Sequence, residues 1–236
     1  MGKISVIFRD SPCNRRSESL RRGEITEDTV CGREIVRVRL IRGGRRYVRR
    51  LFQKHHIDSA VLRGDIPAYV TELAEEFGIK VHTGKKLLHS VLPYLISRAA
   101  KENPLCESCT VYSASADGEC MEIIKLAAEK FRHVSLCCDG EIYGSFARSI
   151  MDDTGLALKI GRIDGSVAIL CSGNGDGHDV RINLNDATSV VFADKNKKIL
   201  SAAMVEAIAG EGADKKTLDG LGLKIYKRLD KTKTLY

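Results

Sequence analysis

The sequence predicts an α/β protein with a mostly parallel sheet built from successive βα units, arranged as two lobes. Three observations carry that expectation. Short apolar runs rich in β-branched residues recur about 20 residues apart with helix-period segments between them, the spacing of parallel crossover units. In residues 134–150 the apolar run Val134, Leu136, Cys137, Cys138 stops at Asp139 and Gly140, and a helical pattern follows at once. That is a strand delivering a tight turn into a helix, where α/β sheets place their ligand crevices. Finally, 236 residues with 43% hydrophobic and 29% charged content suffice for a buried core and argue against disorder.

Taken in order, residues 3–8 alternate weakly and read as a short strand, and residues 9–29 are polar enough to read as loop. Residues 34–41 alternate well, with Val36, Val38 and Leu40 opposite Arg37 and Arg39, so they read as a half-buried strand antiparallel to the first and near a sheet edge. Gly43 and Gly44 break it. Residues 45–56 read as a helix with Val48, Leu51 and Phe52 inward, and with Arg45, Arg49 and Arg46, Arg50 in two outward columns. Residues 60–62 and 79–82 read as short strands around a helix that starts near Pro67 and stops at Gly78. Residues 85–101 carry the strongest helical stripe (Leu87, Leu88, Val91, Leu92, Leu95, Ile96, Ala99), which Pro93 should kink or split. Asn103 and Pro104 end it, so the expected division is a basic N-terminal α/β lobe over 1–104 and a second α/β lobe over 105–236.

The second run repeats the rhythm. Strands are expected at 110–114, 134–138 and 156–160, with helices at 120–131 and 142–151 between them. After Ile160 the connections become too short for crossover helices, so residues 161–194 read as loop and strand. Residues 199–208 read as a helix, 210–222 as loop or a short helix, 223–229 as a final strand, and the last residues as frayed.

Charge is unevenly spread. Residues 1–56 hold fifteen Lys and Arg against six Asp and Glu, and the remaining chain holds 23 against 25. All the excess behind the net charge of +7 therefore belongs to the first quarter. No apolar run approaches the ~20 residues of a bilayer span, and the opening residues hold no apolar signal core, so the expected location is cytoplasmic with no membrane partner. Of the eight cysteines, Cys120, Cys137, Cys138 and Cys171 lie in apolar patterns and read as reduced, buried thiols.

The strand–turn–helix at 134–150, with the strand after it and the run VAILCSG, resembles the dinucleotide-binding half of Rossmann oxidoreductases over residues 109–194. The resemblance implies a Rossmann-like lobe. It places ligand contacts at Asp139, Gly140 and Gly144, and at the glycine-dense loop Ser172, Gly173, Asn174, Gly175. Gly140 and Gly144 stand in G-x-x-x-G spacing rather than G-x-G-x-x-G, and Asp139 and Glu141 occupy places where bare amides would meet phosphate. Arg162 could meet a 2′-phosphate. A packing reading gives Gly140 to the turn and Gly144 to close helix–strand contact.

Other residues invite chemistry and have plainer uses. Asp65, Asp117, Asp139, Asp176 and Asp194 stand at strand ends, where carboxylates gather for metal or acid–base work, or cap helices. Cys106 and Cys109 form one CxxC without the second pair that structural zinc wants, so no metal set is assigned. No spacing singles out a general acid, base or nucleophile, and no cofactor follows from the residues. The leading expectation is a Rossmann-like protein binding a small anionic or nucleotide-like ligand at the strand C-terminal rim. The alternatives are a degenerate NAD(P)-dependent oxidoreductase, and a non-enzymatic module whose basic patch (Arg45, Arg46, Arg49, Arg50) docks on nucleic acid or an acidic partner.

Overall fold

The computed structural model describes residues 3–9, 23–41, 44–140, 144–163, 167–173, 177–178, 180–186 and 190–226. Gly43, Glu141, Asn174, Gly175, Asp176, most of the expected loop over 9–29 and the end of the expected last strand lie outside the described residues. The fold is α/β with parallel sheets, as the periodicity requires. The chain divides into two compact units: Met1–Leu87 with Phe192–Ile225, and Leu88–Val191 with Tyr226–Tyr236. The expected cut at residue 104 differs from this grouping, because a C-terminal segment packs with the N-terminal sheet.

In the first unit β1 (Lys3–Arg9), β2 (Gly23–Val30) and β3 (Arg33–Leu40) precede α1 (Arg45–His55). There follow β4 (Ile57–Gly64), α2 (Ala68–Glu76) and β5 (Lys80–His82). The strand order is β2-β3-β1-β4-β5. Two expectations are corrected here. Residues 23–30 form a strand rather than loop, and β3 runs parallel to β1. The antiparallel partner of β3 is the edge strand β2, whose GEITEDTV has too few apolar positions to show a strand period. Its Glu24 and Asp28 face the arginines of β3 instead, at 3.5 Å from Arg39 and 3.4 Å from Arg37. Cross-strand charge pairs, not a buried face, hold this edge.

Val36, Val38 and Leu40 join Ile7 and Ala60 in a core completed by Val48, Leu51 and Phe52 of α1 and Val70, Leu73 and Ala74 of α2. Left-handed His56 (φ 49°) turns the end of α1 straight into β4. Gly78, at φ +63°, ends α2 by donating to Glu75 O, while Ile79 N reaches Ala74 O. That is the glycine stop foreseen at this position.

The helix α3 (Lys85–Glu102) runs unbroken through Pro93. The expected split does not occur, because Leu88, Val91 and Leu92 before the proline and Leu95, Ile96 and Ala99 beyond it are all buried. Packing of that stripe outweighs the one lost amide hydrogen bond.

In the second unit β6 (Ser108–Ser113), α4 (Gly118–Ala128), β7 (His133–Cys138), α5 (Gly144–Thr154) and β8 (Lys159–Ile160) alternate. Two further strands, β9 (Val167–Leu170) and β10 (Val180–Asn183), complete a five-stranded sheet in the order β10-β9-β6-β7-β8. Every pairing in it is parallel. Both of its faces are covered where it matters: Val111, Leu136 and all four residues of β9 are buried, which explains why these strands read as continuous apolar runs.

The C-terminal segment adds β11 (Val191–Ala193), β12 (Ile199–Ser201), α6 (Ala202–Ala209), α7 (Lys215–Gly220) and β13 (Lys224–Tyr226). The three strands form a small sheet ordered β12-β11-β13. The expected helix over 199–208 therefore begins as a strand, and Ser201 caps α6 by accepting from Met204 N.

Candidate functional site at the rim of the second sheet

From β6 the chain steps to β7 and β8 on one side, then returns to lay β9 and β10 on the other. The divergence falls between β6 and β9, and in such a sheet the crevice outside the carboxyl ends of the strands is the place for a ligand. A cavity of about 300 Å3 lies at that rim. Tyr112 and Ser113 reach it from β6, Cys137 and Cys138 from β7, and Ser172 and Gly173 from the segment after β9. Asp139 lines it as well, one residue past the end of β7.

The structure separates the expected contacts. Asp139, Ser172 and Gly173 come together at the cavity, with Gly173 at φ +71°. Gly140 packs against the turn that leaves β6: a Cβ there would stand 3.3 Å from Ala114 O. Gly144 opens α5, and a Cβ on it would meet nothing within 4 Å, so its smallness is not used for helix–strand packing. Asn174 and Gly175 lie outside the described residues.

The strand order also moves the phosphate-loop position. In a sheet of this order the first strand is β6, so the turn that corresponds to the glycine fingerprint is Ser113 to Gly118, not the turn after β7. Small residues stand at all three fingerprint places: Ser113, Ser115 and Gly118. The turn is tied internally. Ser113 Oγ donates to Ser115 O at 2.8 Å, and Ser115 Oγ donates to Asp117 Oδ2 at 2.5 Å. Asp117 caps α4 by accepting from Cys120 N at 2.9 Å, and that bond, with the one from Ser115, holds its carboxyl below the usual range.

One pairing was invisible in sequence. The Tyr112 hydroxyl lies 2.7 Å from His178 Nε2, their rings meet edge to face, and His178 is 1% exposed. Sixty-six positions separate the two, and no local spacing rule joins them. The available signal was weak: a histidine closing the glycine-dense loop after a strand.

Burial disfavours the thiolate at several of the cysteines. Burial pushes Cys120 up to about 11 and Cys171 up to about 12, and it also raises Cys137, opposed by Arg162. In the CxxC, Cys109 is fully buried in β6 with its thiol strongly raised by desolvation, while Cys106 Sγ donates to Ser108 O. A metal pair would need both thiolates, and burial opposes one of them.

The remaining candidates resolve into structure. Arg45 and Arg49 of the first column pair with Glu72 and Glu76 of α2 at 2.5 Å each, so half of the basic patch is internally neutralised. Arg46 and Arg50 are exposed and meet no carboxylate among the described residues. Asp194 accepts from Asn196 N and Lys198 N in the turn between β11 and β12, and Asp65 follows a strand of the first unit's sheet, so neither belongs to the sheet whose strands end near Asp117 and Asp139; Asp176 lies outside the described residues.

His82, Glu206 and Glu211 in the first unit do have ligand atoms within 4.8 Å of one another. Their lone pairs are engaged. Glu206 takes His82 Nδ1 and Leu87 N at 3.1 Å each, and Glu211 takes Lys80 at 3.1 Å and Lys86 at 2.8 Å. Two ammonium groups beside the third ligand disfavour a divalent cation, and the cluster reads as a clasp between the start of α3 and α6.

The architecture and the rim define a parallel α/β protein with a crevice at a strand-order reversal. No family model matches the chain, and no curated protein matches it. Solved structures with a similar course of chain include L-tryptophan dehydrogenase from Nostoc punctiforme, 10% identical over 77% of this chain and 62% of that one, with a TM-score of 0.32. Ornithine carbamoyltransferase from Pyrococcus furiosus is 14% identical over 75% and 61%, TM-score 0.30. The catalytic subunit of M. jannaschii aspartate transcarbamoylase is 12% identical over 72% and 60%, TM-score 0.29. The chain thus spans about three fifths of the length of these structures. Likeness at this level carries no argument about site or activity. Among the described residues no helix is long and apolar enough to cross a membrane.

Proposed function

We propose that the second unit binds a nucleoside-type ligand at its strand C-terminal rim, with Asp139 accepting from the ribose hydroxyls. One observation carries this reading: the order β10-β9-β6-β7-β8 makes β7 the strand beside the first, and Asp139 stands at its end, facing the cavity. That is where dinucleotide-binding sheets hold the ribose, about 20 residues beyond the last fingerprint position, here Gly118. Asp139 therefore supports the reading as a ribose acceptor, although in a linear count it displaces a glycine.

The same turn argues against a pyrophosphate. Asp117 caps α4 and Glu119 follows in its first turn, so two carboxylates occupy the helix N-terminus that would receive the phosphates. A nucleoside without phosphate, or one with a cationic substituent such as adenosylmethionine, suits that charge better than NAD(P) or ATP. Binding is the claim, and no reaction is attached to it.

Thermal-shift and calorimetric titrations of the whole chain test it. Adenosine and adenosylmethionine should raise the midpoint, with ATP, NAD(H) and NADP(H) weaker, and 2′-deoxyadenosine weaker than adenosine. Asp139→Asn should weaken adenosine binding roughly tenfold or more, the worth of a hydrogen bond to a charged acceptor. Indifference to all six compounds, or an unchanged response in D139N, would remove the proposal.

A further inference from the structure

We infer that the first unit carries a ligand site of opposite charge: a basic cavity at the switch point of its own sheet that takes the phosphoryl group of a small phosphorylated molecule. In the order β2-β3-β1-β4-β5, the chain places β3 on one side of β1 and β4 on the other, so the reversal falls at β1. The crevice rule therefore points to the carboxyl ends of β1 and β4. A cavity of about 340 Å3 lies there, lined by Arg9, Arg37 and Arg63, with Val6, Phe8 and Gly64.

The register puts Arg37 and Arg63 on the face of Val6 and Phe8, with Arg9 closing the end of β1 beside them. Arg37 of β3 stands level with Val6, Arg63 of β4 level with Phe8, and Arg9 ends β1 level with Gly64. Adjacent parallel strands keep these residues within three rows of one another along β1. Gly64 is required for the close approach: it has φ +79°, and a Cβ would stand 2.7 Å from Arg9 O.

Several arginines elsewhere in this unit are answered by acids. Arg39 has Glu24, Arg45 has Glu72 and Arg49 has Glu76. In the cavity the balance is different. No carboxylate lines it among the described residues, and Arg9 and Arg63 meet none there. Arg37 shares Asp28 with Lys198, and its Nε is buried without a hydrogen-bond partner among the described residues.

Arg9 and Arg63 are unshielded and Arg37 holds only a shared carboxylate, so the cations around this hollow repel one another and a bound anion relieves that repulsion. Guanidinium forks match phosphate oxygens in pairs, which favours a phosphoryl group over a halide or a single carboxylate. Phe8 and Val6 supply an apolar wall for the organic part of the ligand, and the volume suits a molecule of sugar-phosphate size.

Titration of the whole chain with inorganic phosphate, ribose 5-phosphate and ribose, followed by thermal shift and calorimetry, tests the inference. Phosphate and ribose 5-phosphate should both raise the midpoint, ribose should not, and added salt should weaken the response. Arg63 is exposed, so Arg63→Gln keeps the fold while weakening ribose 5-phosphate roughly tenfold to a hundredfold. Arg46→Gln with Arg50→Gln, on the exposed face of α1, should leave it unchanged. Three results would overturn the inference: no response to either phosphate, a full response in R63Q, or displacement of phosphate by a short oligoribonucleotide that R46Q/R50Q no longer binds. The last would assign the basic character to nucleic acid instead.

Discussion

The two sheets reverse strand order at comparable places and fill the resulting crevices with opposite chemistry. At the first the hollow is walled by arginines from three strands. At the second it is walled by serines, half-buried thiols and one carboxylate. Topology alone therefore sets where a ligand can sit and says nothing of which ligand; side chains at the strand ends decide that. The units also differ in how they are closed. The second is drawn almost wholly from one continuous stretch, Leu88–Val191, whereas the first recruits Phe192–Ile225 from the far end of the chain.

The sharpest way to test the contrast in chemistry is thiol reactivity. Cys171, raised by burial to about 12 from an ordinary 9.0, should at pH 8 expose about a thousandfold less thiolate than a free cysteine. Cys31, in the turn between β2 and β3, is half-buried like Cys171 and is raised too, by burial opposed by Lys195. Iodoacetamide labelling followed by mass spectrometry should modify Cys31 first, with Cys120 and Cys171 protected until denaturant is added. Rapid labelling of Cys171 in the native protein would mean that the end of β9 is more open to water than the raised thiol implies.

The contrast in closure rests on Gly84. It has φ +85°, and a Cβ would lie 2.5 Å from Ala203 N and 2.8 Å from Ala202 C, both backbone atoms that cannot turn aside. Gly84→Ala should cost about 3 kcal/mol, combining a left-handed non-glycine residue with overpacking at the first turn of α6. Denaturant unfolding would measure it. An R63Q-sensitive phosphate response that survives in G84A would show that the basic cavity does not need the C-terminal segment. A loss below about 1 kcal/mol would mean that α6 can shift without harm to the sheet.

Legibility in the sequence followed the range of the interactions. Helices and buried strands were readable because their apolar stripes are local: the α3 stripe and Val134 and Leu136 of β7 are buried as their periods require. Strand β2 was not, because its order comes from Arg37 and Arg39 across the ladder rather than from its own apolar residues. Linear spacing set Asp139 against a glycine motif, whereas the sheet order puts the turn after the first strand at Ser113–Gly118 and Asp139 at the end of the neighbouring strand. Tyr112 with His178, and Arg9 with Arg37 and Arg63, were beyond reach for one cause. Each set is assembled by strand neighbourhood, which no spacing rule encodes.

The smallest effect bears on whether the turn after β6 is shaped by its cap or by its charge. Asp117 accepts from Cys120 N, and Asp117→Ala should cost about 1 kcal/mol of stability at neutral pH, as loss of a helix cap does. Because hydrogen bonding lowers its folded pKa, the charged cap contributes fully above the ordinary aspartate range near pH 4, and the contribution is lost as pH falls through the lower folded value. The gap between wild type and D117A should therefore be full at pH 7 and narrow at pH 3. Asp117→Asn separates the two roles, since asparagine caps nearly as well and carries no charge. If D117N keeps the stability and at the same time admits ATP or NAD(H) to the second crevice, the carboxylate is what turns phosphates away. If D117N keeps the stability and still refuses them, the exclusion lies in the shape of the Ser113–Gly118 turn, and the electrostatic half of the contrast between the two sheets falls.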